Sequence, residues 1–112
     1  MIERVHVIGS GRVGSAISAR LAERGVAVIV NRAFEDGRLF ERVRDKPLPA
    51  WAAEFGAKSW AQVFLKFVLA QPAVTCVIPA TGKIRNMLDN LGAGVGSLPD
   101  AKHRARIVAA LA

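Results

Sequence analysis

The stretch "SWAQVFLKFVLAQPAVTCVIP", residues 59–79, predicts a helix that runs directly into a buried strand. Ser59 followed three residues later by Gln62 is a capping-box pattern, and Pro72 is expected to stop the helix. Apolar side chains at helical spacing predict one buried face, which consists of Trp60, Val63, Phe64, Phe67 and Val68. The run "AVTCVI", residues 73–78, is typical of a strand buried in a parallel sheet, with Cys76 as a small core residue.

Two apolar runs nearer the N-terminus repeat this pattern. "RVHVI", residues 4–8, and "VAVIV", residues 26–30, both favour buried strands. Residues 12–24 between them have the spacing of a helix, for which Gly25 is the expected C-cap. These segments predict a strand–helix–strand unit.

The remaining segments favour helices. A short helix is expected from Pro49 to Phe55, a helix capped by Thr81 is expected to reach about Leu91, and Pro99 is expected to open a last helix. Strands that alternate with helices predict an α/β fold with parallel strands. We therefore expect a single domain over residues 1–112, with a small three-stranded parallel sheet and flanking helices, as a Rossmann-like unit followed by a partial barrel segment.

Composition excludes several classes of protein. The chain has 112 residues, of which 52% are hydrophobic, and this content predicts a folded chain rather than a disordered one. Its apolar runs are shorter than the roughly 18 residues of a membrane span, and the N-terminus lacks the pattern of a secretory signal. We expect no membrane association and a cytoplasmic protein. One cysteine and two histidines predict no metal site.

The net charge of +7 is compatible with nucleic acid or with an anionic small ligand. The charge is spread along the chain, and its densest cluster, "KHRAR" at residues 102–106, is expected to lie mostly on one solvated helix face. Nucleic-acid binding is therefore the less favoured alternative.

Three glycines interrupt the chain between the first predicted strand and its helix. Gly9, Gly11 and Gly14 match the dinucleotide-binding pattern G-x-G-x-x-G, and they lie within a predicted strand–helix–strand unit over residues 1–32. The glycines permit a tight turn and close approach of the backbone to a pyrophosphate, while the helix N-terminus supplies free N–H groups. The predicted cofactor contacts in this segment are Gly9, Ser10, Gly11, Arg12, Val13 and Gly14. The alternative is a glycine-rich turn that only packs the helix.

The end of the second predicted strand distinguishes between the two nicotinamide cofactors. NAD sites place an acidic residue there for the ribose 2′-hydroxyl, whereas an arginine accommodates the 2′-phosphate of NADP. Asn31 and Arg32 occupy this position and favour NADP(H). The segment resembles the nucleotide-binding starts of Rossmann oxidoreductases.

From about residue 21 to residue 112 the chain is similar to the C-terminal part of an aldo/keto reductase. The similarity is carried by "RGVAVIVNRAFEDGRLF", "PLPAWAAEFGAKSWAQVFLKFVLAQPAVTCVIPATGKIRNMLDNLGAG" and "LPDAKHRARI". The resemblance implies that "IPATGKIRNMLDN", residues 78–90, wraps the adenosine 2′-phosphate end of NADPH. It implies that Thr81 contacts the phosphate and that Asp89 and Asn90 contact the adenine.

The chain also departs from that family. Asn86 stands where many members have arginine, and Lys83 and Arg85 either supply the missing positive charge or are ordinary solvated residues. The family's catalytic Asp, Tyr, Lys and His come from the first half of a barrel, and this sequence contains no tyrosine. Its mechanism therefore does not transfer to any residue of this chain.

Two functional hypotheses follow from these patterns. The first is an NADP(H)-dependent oxidoreductase that acts on a small carbonyl or alcohol, with Lys83, Thr81 and Asp36 as candidate catalytic residues. The second is a catalytically inactive nucleotide-binding module, or a barrel fragment or chimera. Because a three-stranded sheet has two open edges, we also expect a homodimer or higher homo-oligomer.

Overall fold

The computed structural model describes residues 12–112, which contain five α-helices and two short parallel strands. In chain order the elements are α1 (Arg12–Glu23), β1 (Ile29–Val30), α2 (Arg38–Arg42), α3 (Trp60–Leu69), β2 (Cys76–Val77), α4 (Ile84–Leu91) and α5 (Ala101–Leu111). Three 3₁₀ helices lie between them, at Glu35–Gly37, Ala50–Phe55 and Gly92–Gly94. Among the described residues no helix is both long and apolar enough to cross a membrane.

The prediction of a three-stranded parallel sheet in an α/β fold is wrong. Residues 12–112 are mainly helical, and their sheet has two strands, with Ile29 paired to Cys76 and Val30 to Val77. The predicted strand over residues 4–8 lies outside the described residues. Parallel strands extend when both of their faces are covered, but here Ile29 is 61% exposed and Ile78 is also exposed. Without that cover, each apolar run pairs over only two residues.

The hydrophobic core is built around α3 instead. Val63 and Phe64 of α3 are buried, and Trp60 and Phe67 pack against the core, as the helical spacing predicts. The other buried core residues come from the segments before α3 and from α5: Val43, Ala52, Phe55, Ala57 and Ile107. Gln62 and Lys66 of α3 are buried as well, so the helix is enclosed on more than its apolar face.

Local capping explains where several helices begin and end. Gly25 follows α1 with φ +77°, and the N–H of Val26 donates to the carbonyl of Leu21 at 3.0 Å, which is the expected glycine C-cap. Ser59 Oγ accepts from the Gln62 N–H at 3.1 Å, which confirms Ser59 as the cap of α3. The side chain of Gln62 bonds elsewhere, so the reciprocal half of the predicted capping box is missing.

The sequence predicts Thr81 as the cap of α4, and this prediction is wrong. The N-cap is Lys83, and Thr81 Oγ1 instead accepts from the Lys83 N–H at 3.2 Å, in a turn before the helix. Asp100 caps α5 and forms a capping box with His103. Asp100 therefore accepts from a free N–H group in the first turn of α5, and the helix begins at Ala101, two residues after the predicted opening at Pro99.

The basic cluster 102–106 is not a simple solvated face. The His103 side chain is only 15% exposed and lies edge-on to Phe55, and the Arg104 guanidinium lies 4.4 Å from the centre of the Phe67 ring. Arg106 pairs with Glu54 at 3.8 Å. These side chains hold α5 against the core, which spacing along one helix could not indicate.

Helix α4 presents an apolar stripe to solvent. Ile84 is 82% exposed, and Met87, Leu88 and Leu91 on the same face are exposed too, whereas Asn90, which lies outside this stripe, is buried. Exposed apolar patches often mark contacts with other molecules. The homo-oligomer expected from the sequence stays a prediction.

Candidate functional site

A groove of about 780 Å³ lies beside the carboxyl ends of β1 and β2. The segments that leave the two strands, Asn31–Phe34 and Ile78–Thr81, both contribute to its lining. Ends of parallel strands meet at one edge of a sheet, and this is where ligands commonly bind in α/β proteins. Residues of α2, α3 and α4 complete the groove: Phe40, Trp60, Ala61, Asn86, Asp89 and Asn90.

The groove brings together residues that the sequence assigns to two separate nucleotide signals. Asn31 and Arg32 come from the Rossmann-like pattern, and Thr81, Asp89 and Asn90 come from the reductase-like segment; all of them line the groove. The candidate catalytic residue Asp36 lines it too. Six predicted positions, separated along the chain by up to 59 residues from Asn31 to Asn90, therefore converge on one surface.

Other predicted site residues are not part of this groove. Lys83 caps α4 and Arg85 lies in its first turn, and both are exposed outside the lining. Gly9, Ser10 and Gly11 lie outside the described residues. The backbone of Arg12, Val13 and Gly14 forms the start of α1, but the side chains of Arg12 and Val13 lie outside the part of the chain that the structure describes.

The loop that follows β1 is held in an unusual backbone conformation. Arg32, Glu35 and Asp36 have φ values of 51°, 50° and 57°, in the left-handed region that favours glycine, and Gly37 follows with φ +90°. Each such non-glycine residue costs roughly 1 kcal/mol or more, and such strain is concentrated at functional sites. The loop over residues 32–37 therefore combines strain with a place on the rim of the groove.

A forked ion pair closes this loop. Arg32 Nε donates to Asp36 Oδ1 at 3.1 Å, and Arg32 Nη2 donates to Asp36 Oδ2. The hydrogen bond from Arg32 lowers the pKa of the Asp36 carboxyl, and the carboxylate in turn raises the pKa of Arg32. Both groups are thus charged at neutral pH, which leaves Asp36 without a proton to donate.

The wall of the groove that α3 and α4 form is fixed by a hydrogen-bond network between these two helices. Ser59 Oγ donates to Asp89 Oδ2 at 2.6 Å, and Gln62 Nε2 donates to both Asp89 Oδ1 and the Asp89 carbonyl at 3.0 Å. Gln62 Oε1 accepts from the Lys58 N–H at 2.9 Å. Because these partners occupy both carboxylate oxygens, Asp89 holds α4 in place and is not a free charge in the groove.

Aromatic side chains supply the apolar part of the lining. Phe34 and Phe40 contact each other with ring centres 4.8 Å apart, and Trp60 stacks on Phe64 at 5.7 Å. The Trp60 indole N–H donates to the carbonyl of Lys46 at 3.0 Å, which fixes the orientation of that ring. Flat apolar surfaces next to a guanidinium suit a ligand that has both a ring and an anionic group.

Sequence reasoning missed these aromatic groove residues. Trp60 is assigned to the core by its helical spacing, and Phe34 and Phe40 lie in the irregular segment after β1, where no periodicity identifies them. It also missed Lys66, whose buried ammonium donates to the carbonyls of Val95 at 2.6 Å and Ser97 at 2.8 Å. Burial lowers the pKa of Lys66.

The described residues hold no group of three or more histidine, cysteine, aspartate or glutamate side chains able to bind a metal ion. Comparison with known proteins adds no identification, since no protein-family model, curated protein or solved structure matches this chain. The resemblance to aldo/keto reductases and to Rossmann starts therefore stays a prediction from the sequence.

Proposed function

We propose that this chain binds NADP(H) in the groove at the strand ends. The observation that carries the proposal is the meeting of Arg32, which follows β1, with Thr81, which follows β2, in one lining. A guanidinium and a hydroxyl are the donors that a ribose 2′-phosphate needs, and the net charge of +7 favours an anionic ligand.

The rest of the lining suits the adenosine part of the cofactor. Trp60, Phe34 and Phe40 offer ring faces, while Asn86 and Asn90 offer amide donors and acceptors. A groove of about 780 Å³ is within the usual size range of small-molecule sites. The lining therefore matches a phosphorylated nucleoside better than it matches a purely apolar or purely cationic ligand.

Binding is better supported than turnover. Hydride transfer to a carbonyl needs a proton donor near the developing oxyanion, and the ionised Asp36 is unsuited to that role. Thr81 donates poorly as an acid because a hydroxyl holds its proton tightly, and Lys83 lies outside the lining. The groove therefore favours a nucleotide-binding module. Oxidoreduction of a small carbonyl or alcohol is a further activity, to be tested once cofactor binding has been measured.

The test is titration of the full chain with NADPH and NADH, followed by nicotinamide fluorescence. We expect saturable binding with preference for NADPH, and Arg32→Ala should remove that preference by reducing NADPH affinity about tenfold, the loss of one charge-assisted contact. Arg42→Ala is the matched control, because Arg42 is an exposed arginine of α2 outside the groove. Lys83→Ala should also leave binding unchanged.

Absence of binding to either cofactor would refute the proposal. Equal loss in the Arg32→Ala and Arg42→Ala variants would show that only overall charge attracts the nucleotide. If binding is confirmed, incubation with NADPH and a panel of small aldehydes and ketones, followed at the nicotinamide absorbance, separates a binding module from an oxidoreductase.

A further inference from the structure

We propose that Asp36 is an internal competitor for the ligand phosphate, and that it sets how strongly the groove prefers a 2′-phosphorylated nucleotide. This inference rests on the proposed NADP(H) function. In the structure the Asp36 carboxylate occupies the guanidinium of Arg32 through both of its oxygens. It therefore stands where two phosphate oxygens would bind.

The geometry of the pair matches that of a phosphate contact. A guanidinium presents parallel N–H groups that bind either a carboxylate or a phosphate as a fork. Arg32 uses Nε and one Nη for Asp36, so a phosphate can form the same two hydrogen bonds only after the carboxylate has left them. Binding of a phosphate to this edge of the guanidinium is thus an exchange of one anion for another at the same side chain.

The backbone brings the competitor to the arginine. Arg32 and Asp36 are both in the left-handed region, and the Glu35 N–H donates to the Arg32 carbonyl at 3.0 Å, which folds the chain back between them. Aspartate is among the residues that best tolerate this conformation. Both side chains remain largely exposed, at 70% for Arg32 and 58% for Asp36, so a ligand in the groove has access to the pair.

The neighbouring charges distinguish Asp36 from other carboxylates of the loop. Glu35 lies next to it with nearly the same φ and is also exposed, but its carboxylate makes no ion pair with any described residue. Arg38 is close enough to Asp36 to favour its ionised form. A displaced Asp36 carboxylate would therefore keep one cation nearby, which lowers the free-energy cost of leaving Arg32.

The experiment compares Asp36→Asn with Glu35→Gln in titrations with NADPH and NADH. Each variant removes one negative charge from the same loop without shortening the side chain, and asparagine keeps the tolerance for positive φ. An exposed ion pair is worth up to about fivefold in an equilibrium constant. We expect Asp36→Asn to bind NADPH about threefold to fivefold more tightly, with NADH affinity unchanged, and Glu35→Gln to behave like the unmodified chain.

Each outcome has one meaning. A higher affinity for NADPH in Asp36→Asn, but not in Glu35→Gln, supports competition. Detectable NADPH binding in Asp36→Asn alone would support it as well. Suppose instead that NADPH binding depends on Arg32 but that Asp36→Asn and Glu35→Gln bind NADPH with equal affinity. That result would overturn the competition and leave the proposed function intact. Failure of every variant to bind NADPH would overturn both.

Discussion

Gly92 lies where α4 meets α3, and the space around it predicts a measurable packing effect. Its backbone is in the ordinary helical region, with φ −59°, so alanine fits the chain itself. A Cβ atom there would lie 2.5 Å from Gln62 Nε2, closer than real contacts allow, and 3.2 Å from Gln62 Cδ, which is a tight contact. Gln62 cannot easily withdraw, because it is buried and its side chain bonds to Asp89 and to the Lys58 N–H.

The expected magnitude follows from two opposing terms. Replacing glycine by alanine stabilises a compatible site by about 0.4–1 kcal/mol, since the unfolded chain loses freedom. Overpacking a filled site destabilises by about 1–3 kcal/mol. For Gly92→Ala the second term dominates, and we expect a net loss of roughly 1–2 kcal/mol in the free energy of unfolding.

Gly94→Ala is the matched control in the same 3₁₀ helix. A Cβ at Gly94 meets no atom within 4 Å and its φ is not positive, so only the favourable term applies. Urea unfolding of both variants, followed by tryptophan fluorescence, should show Gly94→Ala slightly more stable than the unmodified chain. The two variants should differ by about 2 kcal/mol, or by about 8 °C in Tm for a chain of this size.

Equal stability of the two variants would refute the reasoning, because it would mean that Gln62 does not approach Gly92. A second test is the double variant Gln62→Ala with Gly92→Ala. If the clash is the cause, Gly92→Ala should stop being destabilising once the Gln62 side chain is removed. Persistent destabilisation in that background would contradict the explanation.

Two further predictions concern α5 and α4. His103 Nε2 bonds to Glu54 at 2.6 Å and lowers the pKa of the Glu54 carboxyl. The contribution of this contact to stability is therefore present above the ordinary carboxyl pKa and is lost as the pH falls through the lowered value. Below about pH 4 the urea midpoint should drop less for Glu54→Gln than for the unmodified chain, and equal drops would contradict this. The sequence also predicts a homo-oligomer, and the exposed apolar stripe of α4 is the surface that would form its contact. Light scattering at micromolar concentration should then give the mass of at least two chains, and the double variant Leu88→Glu with Leu91→Glu should reduce it to the mass of one chain. A single-chain mass for the unmodified protein would contradict the prediction.

Positions of helices are largely predictable from this sequence. The apolar spacing of Trp60, Val63 and Phe64 identifies the core face of α3, and Ser59 and Gly25 mark helix ends by chemistry confined to one turn. These features depend on neighbours within four residues. The extent of the strands was not predictable, because it depends on what covers the faces of Ile29 and Ile78.

The candidate site likewise has features that the sequence predicts and features that depend on the tertiary structure. The sequence identifies Asn31, Arg32 and Thr81 as residues that follow strands, and parallel pairing of those strands is enough to bring them to one edge. It gives no sign that Asp36 pairs with Arg32, since that contact needs several residues in the left-handed conformation. The aromatic lining was equally hidden, because no periodic pattern marks Phe34 or Phe40.

By itself, then, the sequence determined where most of the helices lie, which face of α3 is buried, and which strand ends carry polar side chains. Only the tertiary structure decided that the sheet has two short strands in the described region, that Gln62 and Lys66 are buried, and that Arg32 is already paired. The physical reason is the range of the interactions. Capping and helical spacing act between residues close in sequence, whereas strand cover, desolvation and ion pairing depend on which surfaces the folded chain brings together.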